Sequence, residues 1–208
     1  MKPSVLISIG IALAILVGGF VAVLSARQHS AEIALPPLSP YRGSIPPPGI
    51  RAPDFTLRDY RGSQVTMSKL RGRVVVLSFV DSKCTQQCPI VTSVIARTMK
   101  QLPVNARHQV APVLMSVDPK VDTPANVRRF LARRGALGLT YVVGQTREMR
   151  PIWKAYGILP AVDSGHADIH SSDVRIFDRH GIWVSTQHAG EDLTTTNLEH
   201  DIALAQRR

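Results

Sequence analysis

The stretch Val74-Val-Val-Leu-Ser-Phe-Val80, followed by Asp81-Ser-Lys-Cys84-Thr-Gln-Gln-Cys88-Pro89, is a strand running into a dithiol. The apolar run does not alternate, which predicts a strand covered on both faces, as in a parallel sheet. After it, Val91, Val94, Ile95 and Leu102 recur at helical spacing, with Pro89 at the first helical position, where its missing N–H costs nothing. Cys84 and Cys88 are the only cysteines of the chain, too few to staple a small fold but enough for one disulfide or for two ligands of one metal. Cys88 at a helix N-terminus would have its thiolate stabilised by the helix dipole and free N–H groups, and Lys83 beside Cys84 pushes the same way. Helical geometry sets the two Cα atoms about 6 Å apart, within reach of a disulfide. A static disulfide closing so small a loop would stabilise little.

Moving toward the C-terminus, Val110 to Val117 reads as a second apolar strand, ending at Asp118-Pro119. Thr123-Pro124 supplies an N-cap and first residue for a helix that buries Val127, Phe130 and Leu131. Arg128, Arg129, Arg133 and Arg134 read as its solvated face. Tyr141-Val-Val143 is a short strand, Glu148 to Tyr156 a helix interrupted at Pro151, and Gly157 to Ile169 a loop. Val174–Phe177 and Ile182–Ser185 flank a Gly turn, and Leu193 to Ala205 closes the chain as a helix with Leu198 and Ile202 inward. Upstream, Pro53–Leu57 and Gln64–Met67 flank Asp59-Tyr-Arg-Gly62 as a hairpin. Strand–helix alternation predicts a mostly parallel sheet with helices on its faces, and active groups gathered at the carboxyl ends of strands.

Residues 1–27 carry an apolar run, Val5 to Leu24, long enough to span a bilayer, between Lys2 and Arg27. They read as a single N-terminal transmembrane anchor, with a cleaved signal peptide as the alternative. Residues 28–49 read as a Pro-rich tether, through Pro36-Pro37, Pro40 and Pro46-Pro-Pro48. Residues 50–208 form the folded domain, expected on the far side of the inner membrane, in the periplasm. The formal net charge is +10 over 208 residues, but no basic run is interleaved with aromatics, which argues against nucleic acid.

Two thiolates and an imidazole form a trigonal set suited to Cu(I), whereas zinc would want a fourth ligand. Among the seven histidines, His29 lies in the tether, His200 on the last helix, His180 in a turn and His108 at the amino end of a strand. His166 and His170 precede the Val174 strand, and His170 is nearer to it.

Cys84-x-x-x-Cys88-Pro89, Ser116-Val-Asp118-Pro-x-x-Asp122-Thr-Pro124 and His170 eleven residues before Gly181 together resemble the Sco family, copper-binding assembly factors of cytochrome c oxidase. The resemblance covers Pro53 to Ala205. It implies a thioredoxin-like α/β fold behind a membrane anchor: a central mixed, mostly parallel sheet flanked by helices, with the hairpin as an N-terminal extension. It also implies Cys84, Cys88 and His170 as ligands of copper, Cu(I) with Cu(II) as a second state. The implied partners are a copper-accepting oxidase subunit and other copper chaperones or thiol reductants. The chain departs from the family at Thr85, where Pro often stands, at Ser82-Lys83, and at the polar start Ser171-Ser-Asp173 with Arg175 within the strand.

Function therefore divides between a tethered copper chaperone and a thiol–disulfide oxidoreductase using the same cysteine pair. Against the second stand the three-residue spacer, where thioredoxins have two, and His170-Ser-Ser in place of a late proline. A peroxidase is disfavoured because Leu77 and Asp81 occupy the positions of its Pro and Thr. Asp122 reads as turn and cap chemistry. Asp118 is open between a turn role and one at the site.

Overall fold

The computed structural model describes residues 39–208. The expected anchor over residues 1–27, and the tether up to residue 38, lie outside the described residues. No helix among the described residues is long and apolar enough to cross a membrane.

Seven strands form one sheet in the order β2-β1-β5-β4-β3-β6-β7. They are β1 (Thr56–Asp59), β2 (Gln64–Thr66), β3 (Val74–Val80), β4 (Val110–Ser116), β5 (Thr140–Val143), β6 (Val174–Phe177) and β7 (Trp183–Gln187). The helices are α1 (Gln87–Gln101), α2 (Val104–His108), α3 (Pro124–Ala132), α4 (Thr146–Tyr156), α5 (Ala161–Ser164) and α6 (Thr195–Ala205). Strand β3 is buried at every position, as a run apolar everywhere but Ser78 demands, and it pairs in parallel with β4 along its whole length. Opposite faces of β3 feed two cores. Val74, Val76 and Val80 pack with α1, α3 and α6, while Val75, Leu77 and Phe79 pack with Met149, Trp153 and Tyr156 of α4.

The sheet is not mostly parallel. Only β3–β4 and β4–β5 are parallel; β1–β2, β1–β5, β3–β6 and β6–β7 are antiparallel. Short turns join β1 to β2 and β6 to β7, and a short turn can only reverse the chain. The parallel expectation holds where helices make the crossovers, at the centre.

Other boundaries moved for local reasons. Helix α1 starts at Gln87, so Pro89 sits at its third position, still inside the first turn where no N–H is needed. Helix α4 runs through Pro151 without a break, since Met149, Trp153 and Tyr156 anchor one buried face and Gln145 with Glu148 forms a capping box. The loop after it contains the one-turn α5. Arg175, out of pattern in a buried strand, is neutralised by Asp173 at 2.5 Å and donates to the Tyr156 carbonyl at 2.6 Å. Its guanidinium also lies over the Trp183 ring, 4.5 Å from the centroid.

Residues 39–49, grouped with the tether on composition, are fastened to the domain. Asp201, fully buried in α6, accepts from the N–H groups of Arg42 and Gly43 and from Ser185 Oγ and Gln187 Nε2. Ser44 then bridges to Thr186 of β7. A Cβ on Gly43 would overlap the Thr186 carbonyl oxygen and Ser185 Oγ. Gly43→Ala should therefore cost about 2 kcal/mol, read by chemical denaturation, with amide exchange rising first at Arg42 and Ser44.

Candidate metal centre

The strand-to-helix junction builds the site. Leaving β3, the Asp81 carbonyl accepts from Cys84 N–H at 3.2 Å, which folds Asp81 to Cys84 into a turn. Cys88 N–H, in the first turn of α1, then points at Cys84 Sγ at 3.3 Å. Asp81 N–H donates to Cys88 Sγ at 3.5 Å. Both thiols are free and buried, Cys84 3% exposed and Cys88 0%.

The third side chain comes from the loop entering β6. His170 Nε2 lies 3.1 Å from Cys88 Sγ, and its Nδ1 donates to the Ser171 carbonyl at 2.8 Å. That carbonyl accepts only an N–H, so it fixes the proton on Nδ1 and leaves the Nε2 lone pair facing the sulfurs. One ligand atom each from Cys84, Cys88 and His170 lie within 4.8 Å of one another, the only such group of three among the described residues. An ion bonded at about 2.3 Å to each of three donors around it needs them about 4 Å apart. The residues fit a soft, three-coordinate ion. The structure brings together all three ligands expected from the sequence, and it leaves His166 and His180 at hydrogen bonds of their own.

The two thiols are inequivalent: the lowering expected from the sequence holds for Cys84 and fails for Cys88. The Cys88 thiol donates to Cys84 and holds it down to about 5, helped by His170 and the Cys88 N–H and opposed by burial. Cys88 is pushed far up, first by its bond to Cys84 and then by its deeper burial. Position in the first helical turn loses to desolvation for Cys88, while Cys84, ahead of that turn, receives the N–H. Alkylation of the metal-free protein should modify Cys84 with a pH midpoint at about 5 and leave Cys88 unmodified until unfolding. Peptide mapping by mass spectrometry checks this, and equal labelling of both thiols would refute it.

Two buried carboxylates at the junction, Asp81 and Asp122, were not singled out for the site by the sequence. Asp81 is 1% exposed, and burial raises its carboxyl to about 6. Its Oδ1 accepts from Lys83 N–H at 2.6 Å and its Oδ2 has no partner. Its place directly after a strand apolar at every position but Ser78 was the available signal. Asp122 is not a cap. It is 2% exposed and accepts from Ser82 N–H at 2.8 Å, Ser116 Oγ at 2.6 Å and Tyr141 OH at 2.8 Å, and burial raises its pKa. The cap of α3 is Thr123, which accepts from Asn126 N–H. Asp118 serves the turn, accepting from Lys120 N–H at 3.1 Å.

Asp168, two residues before His170, crosses to the cysteine loop. It accepts from Thr85 N–H at 2.6 Å, Thr85 Oγ1 at 3.0 Å and Gln86 N–H at 3.2 Å, at the amino end of α1. The Thr85 N–H above all holds its carboxyl well below the usual carboxylate range. Ser172 Oγ adds a bond to Gln87 Oε1.

A mixed sheet with a dithiol at the carboxyl end of its central strand, and a histidine on the loop facing it, defines a thioredoxin-like domain with a candidate soft-metal site. The family described as SCO1/SenC matches residues 46–203, and the chain belongs to that family. A protein named as copper-binding from Stutzerimonas stutzeri is 32% identical over 116 residues, covering 54% of this chain and 55% of the relative. The chain spans about half the length of the first curated relatives it matches. The solution structure of apo Sco1 from Thermus thermophilus aligns with a TM-score of 0.65 at 20% identity, over 81% of this chain and 99% of that one. Bradyrhizobium japonicum ScoI, solved with copper bound, aligns with a TM-score of 0.59 at 25% identity, over 76% of this chain and 99% of that one.

Proposed function

We propose that the protein is a membrane-tethered copper chaperone whose domain stands in the periplasm. It binds one copper through Cys84, Cys88 and His170 and supports metallation of cytochrome c oxidase. The observation that carries this reading is the convergence of two sulfurs and an oriented imidazole nitrogen within 4.8 Å. Membership of the SCO1/SenC family and a copper-bound relative support the choice of metal. The oxidase as destination rests on the family resemblance, and the anchor on the apolar run Val5 to Leu24. Copper is cargo here: a thiolate pair binds it, and oxidation to a disulfide removes both sulfur donors.

A second reading has its own observation, the unequal thiols. Cys84 held low and Cys88 held high are suited to attack on a partner's disulfide and to resolution of the mixed disulfide. Cu(I) titration of the full chain separates the two. One tight copper per chain, lost when either cysteine is replaced by serine, supports the chaperone. Weak copper binding with rapid turnover of a disulfide substrate supports the oxidoreductase instead.

A further inference from the structure

Beside the cysteine loop lies an open bay of about 460 Å³, whose walls include Lys83, Cys84, Arg129, Arg133 and Arg134. No carboxylate lines it, and among the described residues none of its four basic side chains forms an ion pair. Arg134 is braced, donating to the Phe130 carbonyl at 2.7 Å with its guanidinium 3.9 Å from that residue's ring centroid. Lys83, Arg129 and Arg133 are exposed. Cys84 lines the bay, whereas the fully buried Cys88 does not. The arginines read from the sequence as a plain solvated face thus border the one sulfur of the site that a visitor could touch. Ile169, next to His170, is 56% exposed, so the metal group sits between a cationic wall and an apolar side chain.

We propose that this bay docks an acidic segment of the protein with which this one exchanges copper. The inference rests on the copper reading above. Charge complementarity selects the occupant: four unpaired cations in a recess attract carboxylates, which speed encounter and orient the partner before any thiol is exchanged. A concave wall containing the donor sulfur suits a protruding peptide better than a flat lipid surface.

The test uses two synthetic peptides with the same Cys-x-x-x-Cys core, one flanked by glutamates and its twin by glutamines. Binding to the metal-free full chain is read by fluorescence anisotropy, and Cu(I) transfer from the loaded chain by stopped flow. The glutamate peptide should bind and receive copper about tenfold better than its twin at low salt, with the gap closing as salt rises. R129E/R133E should abolish the preference and R129Q/R133Q should reduce it. R51E/R71E, in a separate basic recess with Arg179 and His180, should keep it. Equal loss in R51E/R71E, or no preference in the unaltered chain, overturns the proposal. So does a bay whose reversal abolishes binding to phosphatidylglycerol vesicles while peptide preference persists. If the chain takes up no Cu(I), the copper reading fails, and the anisotropy arm still reports on the bay.

Discussion

Replacing His170 with alanine is expected to weaken Cu(I) binding about a hundredfold, because it removes one of three donors where loss of an outer partner alone typically costs ten- to a hundredfold. The same change should reduce the stabilisation conferred by saturating copper by about 2.7 kcal/mol. The metal-free fold should be little affected. The ring's hydrogen bonds go only to the two cysteines of the site and to the Ser171 carbonyl. Competition titration against a Cu(I) chelator, paired with denaturation of the metal-free protein, separates the two effects. An unchanged copper affinity would remove His170 from the ligand set.

The second large effect is expected at Asp122, which touches no ligand. Asp122→Ala leaves Ser82 N–H, Ser116 Oγ and Tyr141 OH without their shared acceptor in the interior. Stranding such buried donors should cost about 3 kcal/mol. It also frees Ser82, the residue between β3 and the cysteine turn, so copper affinity should fall about tenfold. Asp122→Asn keeps an acceptor for Ser82 and should cost less. The two proteins also differ in pH dependence. Burial raises the folded pKa of Asp122 above its ordinary 3.8. The folded state then holds the proton more tightly, so the stabilising contribution of this group is full below the unfolded value and is lost as pH rises through the folded one. The advantage of wild type over Asp122→Asn should be greatest in acid and shrink upward from the carboxylate range. Urea denaturation across that range measures it, and a gap that widens with pH would contradict a carboxyl whose pKa burial has raised.

The parts of this molecule legible in the sequence are those set by local pattern. The Val74–Val80 run gave the central strand, the helical spacing after Cys88 gave α1, and Leu198 with Ile202 gave the buried face of α6. His170 was singled out through family resemblance, and geometry then joined it to the cysteines. What the pattern did not carry was anything set by depth. Thr123-Pro124 read correctly as cap and first helical residue, and only the fold shows that Asp122 turns inward. The lowered pKa expected for Cys88 failed for the same reason. Spacing placed Cys88 at a helix terminus, but burial is a property of the assembled core. Strand direction at the sheet edges followed turn length rather than strand composition.

The contacts of Asp168 bear on time rather than on affinity. They join the histidine loop to the cysteine loop across 83 residues of chain, through protein groups alone. Loop ordering is thus complete before an ion arrives and takes nothing from the binding free energy. Departure is another matter. On the copper reading, a partner thiol would reach Cys84 from the bay, and Thr85 and Gln86 would part from Asp168 only for the histidine loop to move away. On that reading the dwell time of the ion would depend in part on a surface contact that a docking protein could itself compete away.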